Sequence, residues 1–160
     1  MKTKVLFVCL GNICRSPAAE GVFLDLIRKK QISDQFHVDS AGTSGFHAGE
    51  KADRRMRDKA KERGISLESL SRKFLESDFE DFDFIICMDG QNFKNVKRLD
   101  PSGHYGHKVF MMVEFCSRFK VHEVPDPYYG SEDGFNHVLD IVEDASEGLL
   151  KYIIDENRKK

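Results

Sequence analysis

Cys9 and Arg15 bracket the stretch Cys9-Leu10-Gly11-Asn12-Ile13-Cys14-Arg15-Ser16, which directly follows the apolar run Val5-Leu6-Phe7-Val8. A cysteine is a nucleophile as its thiolate, and a guanidinium can grip two oxygens of an oxyanion at once. A loop that leaves a buried strand and enters a helix turns its backbone N–H groups inward. The helix start adds partial positive charge, so such a loop can hold a phosphate without a metal. The same positive field lowers the cost of a Cys9 thiolate. The chemistry that follows is attack of sulfur on phosphorus, with no cofactor and no metal. Gly11 and Asn12 are residue types that tolerate left-handed backbone, which a tight loop of this kind needs. By local pattern alone, Ser16 is a helix N-cap in front of Pro17.

The elements that must position this loop alternate along the chain. Val5 to Cys9 has the continuous apolar character of a strand covered on both faces, and Pro17 suits the first turn of a helix with Ala19, Phe23, Leu26 and Ile27 on one stripe. Phe36 to Ser40 alternates like a second strand. Arg54 to Arg63 is helix-like and closed by Gly64. Phe82 to Met88 is a third strand, and Lys108 to Met112 a fourth that continues into a short helix near Cys116. Phe135, Val138, Val142, Ala145, Leu149 and Tyr152 recur at helical spacing, with Ser131-Glu132-Asp133 supplying acidic residues for the helix start. Such alternation predicts an α/β fold: a single-domain three-layer sandwich over residues 1–160, with a four-stranded parallel sheet flanked by helices on both faces. Ligand-binding loops then gather at the carboxyl ends of the strands, where Cys9 sits. The segments Ala41 to Lys51 and His122 to Gly134 read as loops able to border the site.

Composition narrows the partners. A chain of 160 residues with net charge −2 has no overall electrostatic reason to bind nucleic acid or an acidic membrane surface. Its basic clusters, Arg54 to Arg63 and Arg158 to Lys160, read as a solvated helix face and a tail. The first apolar run is far too short for a signal peptide or a membrane span, which predicts a cytoplasmic protein with its four cysteines reduced. No grouped pair of cysteines or histidines suggests a zinc site, and Cys87 and Cys116 read as buried apolar side chains.

The pattern C-x5-R-S with Gly-Asn inside it and Pro17 behind it, together with Asp126-Pro127-Tyr128-Tyr129, resembles the low-molecular-weight protein tyrosine phosphatases. Similarity continues through Asp39-Ser40-Ala41-Gly42-Thr43 and Ile86-Cys87-Met88-Asp89, from Lys4 to about Tyr152. The resemblance implies Cys9 as nucleophile of a cysteinyl-phosphate intermediate, Arg15 as phosphate binder and Asp126 as general acid and base. It implies a Ser16 hydroxyl hydrogen-bonded to the Cys9 thiolate, and a Ser40 that helps hold Asn12 and the loop. Leu10 becomes an apolar wall, and Phe46, Tyr128 and Tyr129 an aromatic rim. Cys14 shares the loop with Cys9, so by position it is either a redox partner that condenses with an oxidised Cys9 or a small apolar side chain that fills space beneath the loop. Leu10 to Cys14 and Ser16 then all belong to the substrate-binding surface. Expected partners are phosphotyrosine-containing proteins, with inorganic phosphate as product and the enzyme acting as a monomer. One departure stands at Ser69: many relatives carry a histidine there, three positions before the equivalent of Arg72, that supports the phosphate loop.

Three other functions compete. A protein arginine phosphatase built on the same loop typically carries threonine where Ile13 stands, so Ile13 favours an aryl leaving group. An arsenate reductase needs resolving cysteines close together, whereas Cys87 and Cys116 are well separated. An oxyanion-binding or redox-sensing module would switch Cys9 and Cys14 between dithiol and disulfide without turnover.

Overall fold

The structure, a computed structural model, describes residues 1–160, with Glu132 by its backbone alone. Four strands, β1 (Thr3–Cys9), β2 (Phe36–Gly42), β3 (Phe84–Cys87) and β4 (Val109–Met111), pair in parallel in the order β2-β1-β3-β4. The unbroken apolar run of β1 makes it a central strand: Val5 to Cys9 are all buried, with Cys9 opposite Gly42 on one side and Val8 opposite Cys87 on the other. The chain leaves β1 toward β2 and later returns to its other side as β3. Loops at the carboxyl ends of β1 and β3 therefore open into a crevice where the strand order reverses.

Helices α1 (Arg15–Lys29), α2 (Arg54–Glu62), α3 (Asp78–Asp81), α4 (Gly90–Arg98) and α5 (Glu132–Arg158) complete the sandwich. Alternate β1 side chains feed two cores. Val5 and Phe7 pack in one core with Phe23 and Ile27 of α1 and Val138, Val142 and Leu149 of α5. Leu6 and Val8 pack in the other with Phe79 of α3, Val96 of α4 and Phe82. The expected three-layer sandwich is therefore present, with helices on both faces of a four-stranded parallel sheet.

Several local expectations need correction. Helix α4 was not read from the sequence, because in nine mostly polar residues only Asn92 and Val96 are buried, too sparse a stripe to register. The third strand is shorter than Phe82 to Met88, since Phe82 caps α3 and turns into the second core. Cys116 is only half-buried, unlike Cys87, because it sits at the end of the 3₁₀ turn Met112–Phe115, where the chain leaves the sheet. Arg63 is no solvated side chain: it crosses to α5 and pairs with Asp140 at 2.9 Å and Glu143 at 3.2 Å. At the start of α5, Ser131 is the N-cap residue, and the Glu132 side chain invoked there lies outside the described residues. Gly64 does close α2, with φ of 80°.

Helix α5 also secures the segment after β4. Asp144, on its buried face, accepts hydrogen bonds from the backbone N–H groups of Ser117, Arg118 and Phe119 at 3.1, 2.9 and 2.9 Å. Burial pushes this carboxyl up, but the three N–H donors and the Ser117 hydroxyl outweigh it and hold it down at about 2. A depressed carboxyl stabilises the fold above its unfolded pKa and loses that contribution as pH falls through the folded value. Asp144→Asn should therefore cost about 2 kcal/mol at pH 7, with the gap to wild type closing between about pH 4 and pH 2. Urea unfolding of both proteins across that range checks this, and a gap independent of pH would contradict it. No helix among the described residues is long and apolar enough to cross a membrane.

Candidate active site

The loop from Cys9 to Arg15 is held from outside by its carbonyls. Cys9 O and Leu10 O accept from the N–H groups of Thr43 and Ser44, both at 2.9 Å. Gly11 O accepts from Ser71 Oγ at 2.9 Å, and Ile13 O from Asp53 N at 2.7 Å. In a trans peptide the N–H opposes the C=O, so carbonyls turned outward direct the following amides inward. Asn12 N reaches the Cys9 sulfur at 3.3 Å. Asn12 is the residue in left-handed conformation, φ 57°, as its type allows. Gly11 does not share that conformation, contrary to expectation; a Cβ there would meet His47 Cδ2 at 3.0 Å, so its value lies in space for the neighbouring ring.

Beneath the loop lies a fully buried polar cluster. Ser16 is not the N-cap of α1, a place taken by Cys14 without a side-chain bond; its Oγ instead sits 3.0 Å from Cys9 Sγ. Asn12 uses its whole side chain. Nδ2 donates to Ser16 Oγ at 2.8 Å and Ser40 Oγ at 2.9 Å, while Oδ1 accepts from Arg72 N at 3.0 Å. Ser40 therefore bonds to Asn12 as the resemblance implied. Ser69 does not reach the loop but lines a small surface pocket with Glu20, and Ser71 and Arg72 support the loop instead. Cys14 is buried, and burial, Asp53, Cys9 and Asp126 all push its thiol well above the ordinary cysteine range.

Arg15 is 3 % exposed and gathers three parts of the chain. Nη1 donates to Asp89 Oδ2 at 2.6 Å and to Val124 O at 3.1 Å, and Nη2 faces Asp126 Oδ2 at 3.5 Å. Burial works against its charge, but Cys9, Asp89 and Asp126 outweigh that and raise its pKa. Asp89 also N-caps α4 by accepting from Asn92 N at 2.7 Å, so the carboxylate is fixed by a helix while it orients the guanidinium.

A cleft of about 400 Å³ opens above Cys9, lined by Leu10, Gly11, Ile13, Cys14, Arg15, Ser44, Phe46, His47, Asp126, Tyr128 and Tyr129. Its floor is the Cys9 loop and its walls are apolar and aromatic. Phe46 and Tyr129 are almost fully exposed on the rim, and Tyr128 stacks edge-on against Tyr129 at 4.9 Å. The 126–129 turn is pinned by Tyr128 N bonding Asp126 Oδ1 at 3.1 Å, and by Arg55, which donates to Tyr128 O at 3.0 Å and lies over the Tyr128 ring. Asp126 thus stands on the cleft wall with its carboxyl partly open to solvent.

Every candidate residue named from the sequence meets at this cleft or directly beneath it. Sequence reading missed Asp89, Glu20, Ser71, His47 and Arg55. For Asp89 a signal existed, an acidic residue ending an apolar strand run in the same sheet as Cys9. His47 lies in a segment read only as a bordering loop; its Nδ1 pairs with Glu50 at 3.0 Å, and nothing in its spacing announces that.

Residues 4–160 match the model of the family described as low molecular weight phosphotyrosine protein phosphatase. A low molecular weight phosphotyrosine protein phosphatase of Schizosaccharomyces pombe is 42 % identical over 94 % of this chain and 96 % of its own length. The crystal structure of a protein tyrosine phosphatase from Entamoeba histolytica superposes with a TM-score of 0.94 at 47 % identity, covering 98 % of this chain and 99 % of that one. That of a Drosophila arginine phosphatase superposes at 0.86 with 31 % identity, covering 96 % and 98 %. By sequence over nearly its whole length, and by the fold that carries the Cys9 loop, the chain belongs to the low molecular weight phosphotyrosine protein phosphatase family of enzymes.

Proposed function

We propose that the chain removes phosphate from phosphotyrosine in proteins through a cysteinyl-phosphate intermediate on Cys9. The observation that carries this reading is a sulfur with two hydrogen-bond partners, Asn12 N and Ser16 Oγ, on the floor of a loop flanked by Arg15 and Asp126. In the first step the Cys9 thiolate attacks phosphorus, the phosphorus to aryl oxygen bond breaks, and Asp126 protonates the leaving phenolate. In the second, water attacks phosphorus, Asp126 takes its proton, and the sulfur leaves as thiolate with inorganic phosphate as product. Ser16 and Asn12 N stabilise the negative charge on sulfur as it leaves. Arg15 and the inward amides match the equatorial oxygens of the transition state. We read the enzyme as a monomer acting in the cytoplasm, whose reducing conditions keep a thiolate nucleophile available.

The cleft favours a ring. Leu10, Ile13 and the aromatic rim offer apolar surface on the way down to the nucleophile, and a serine or threonine phosphate is too short to fill that depth. Phosphoarginine is the second reading, favoured by the likeness to the Drosophila arginine phosphatase. Turnover of phosphotyrosine, phosphoarginine and phosphoserine peptides of matched sequence separates the readings. Phosphotyrosine should lead in kcat/KM, and Ile13→Thr should shift the ratio toward phosphoarginine by about tenfold. Equal efficiency on phosphotyrosine and phosphoserine would falsify the tyrosine assignment.

A further inference from the structure

Arg55 stands in the first turn of α2, where a cation opposes the helix dipole, so the helix itself gives no reason for an arginine there. Its contacts lie outside the helix. Nε and Nη2 donate to the two carboxylate oxygens of Asp53 at 3.1 and 2.9 Å, one fork facing another. Asp53 is the N-cap of α2, and its own N–H donates to Ile13 O at 2.7 Å. The guanidinium is therefore held at a set distance from the phosphate loop.

From Asp53 the same side chain reaches the wall that carries the general acid. Nη2 also donates to Tyr128 O at 3.0 Å, while Tyr128 N donates to Asp126 Oδ1 at 3.1 Å. The guanidinium carbon lies 5.5 Å from the centre of the Tyr128 ring and 4.7 Å from that of Phe135, near the start of α5. Arg55 thus joins the phosphate loop, the 126–129 turn and α5 at one point.

Among the described residues, two hydrogen bonds tie residues 125–130 to the rest of the fold: the one from Arg55, and the 3.5 Å contact of Arg15 Nη2 with Asp126 Oδ2. The second is long, and it comes from the guanidinium that a bound phosphate would occupy. Once substrate is in place, the hold on the turn falls to Arg55. We propose that Arg55 is a positioning residue for Asp126: anchored on Asp53, it fixes Tyr128 so that the Asp126 carboxyl stays within reach of the leaving phenolate oxygen.

This role rests on Asp126 being the general acid, and it predicts a loss confined to one step. A carboxyl displaced by about 1 Å loses proton transfer first, since attack by Cys9 and the grip of Arg15 do not pass through the turn. Arg55→Lys keeps the charge and loses the fork, because a single ammonium cannot meet both Asp53 oxygens and Tyr128 O from one plane. Geometry, not charge, is what this position supplies.

Wild type, Arg55→Ala, Arg55→Lys, Asp126→Asn and the double variant Arg55→Ala/Asp126→Asn are compared in kcat/KM on phenyl phosphate and 4-nitrophenyl phosphate at pH 7, with thermal unfolding as a fold check. Both substrates present the same phosphate group, so a general electrostatic or folding effect lowers both alike. Arg55→Ala and Arg55→Lys should each lose about tenfold or more on phenyl phosphate and less than about threefold on 4-nitrophenyl phosphate. On the Asp126→Asn background, Arg55→Ala should lower both substrates by the same small factor, because no acid is left to misplace. Equal losses on the two substrates in the Arg55 variants, beside an Asp126→Asn that does split them, overturn the role of Arg55 and leave Asp126 as the acid. Full activity of Arg55→Lys on phenyl phosphate overturns it too, because charge alone would then suffice. An Asp126→Asn that fails to split the substrates overturns the acid assignment and this role with it.

Discussion

Cys9→Ser is expected to lower kcat for aryl phosphates by on the order of 10⁴-fold or more, a loss of more than about 5 kcal/mol of transition-state stabilisation, with little change in fold. Serine replaces sulfur by a smaller atom that still accepts from Asn12 N and still faces Ser16 Oγ, so the loop keeps its internal bonds. What disappears is a nucleophile able to carry negative charge near neutral pH and to leave again as a thiolate. Binding of inorganic phosphate should survive, because Arg15 and the loop amides are untouched. Stopped turnover with retained phosphate binding, read by calorimetry, is the expected pair of results. Turnover within tenfold of wild type would remove Cys9 from the mechanism.

Asp126→Asn is expected to split substrates by leaving group. A tyrosine phenolate is a poor leaving group near neutral pH because the phenol pKa is about 10, so protonation by Asp126 should contribute on the order of 10²-fold or more to its release. Nitrophenolate leaves with little help. In kcat/KM, which reads the steps up to formation of the phosphoenzyme, the variant should lose that factor on phosphotyrosine and less than about tenfold on 4-nitrophenyl phosphate. The 126–129 turn should stay in place, since an asparagine Oδ1 can still accept from Tyr128 N and Arg55 still holds Tyr128 O. Equal losses on the two substrates would make Asp126 structural and move the acid elsewhere.

The parts legible in the sequence share one physical basis: they are local. The apolar run of β1, the glycine-asparagine loop and the stripe on α5 follow from spacing within a few residues, and the structure carries all three. Asn12 was legible because a positive φ selects for its type. Gly11 was read for the same reason and stands there for another, its contact with a ring 36 positions away that no local pattern encodes. Ser16 shows the same limit. A serine before proline at a helix start is an N-cap by local rules, but one residue of shift puts it inside the helix and under the sulfur. Glu20 was illegible because its meaning comes from Ser40, and Asp89, though marked as the acidic end of an apolar strand run, gave no sign that its partner is Arg15, brought near only by the parallel sheet.

That distance along the chain bears on how activity appears during folding. Arg15 is joined to Asp89 across 74 positions and to Asp126 across 111. Its guanidinium therefore acquires its orientation only after β3, α4 and the Asp126 turn have all docked, and closing such long loops comes late and slowly. An early species with β1, α1 and β2 paired would own the thiol and the arginine but not the geometry that couples them. Regain of turnover on dilution from urea should then coincide with the slowest spectroscopic phase rather than with collapse, making catalysis a reporter of the completed topology.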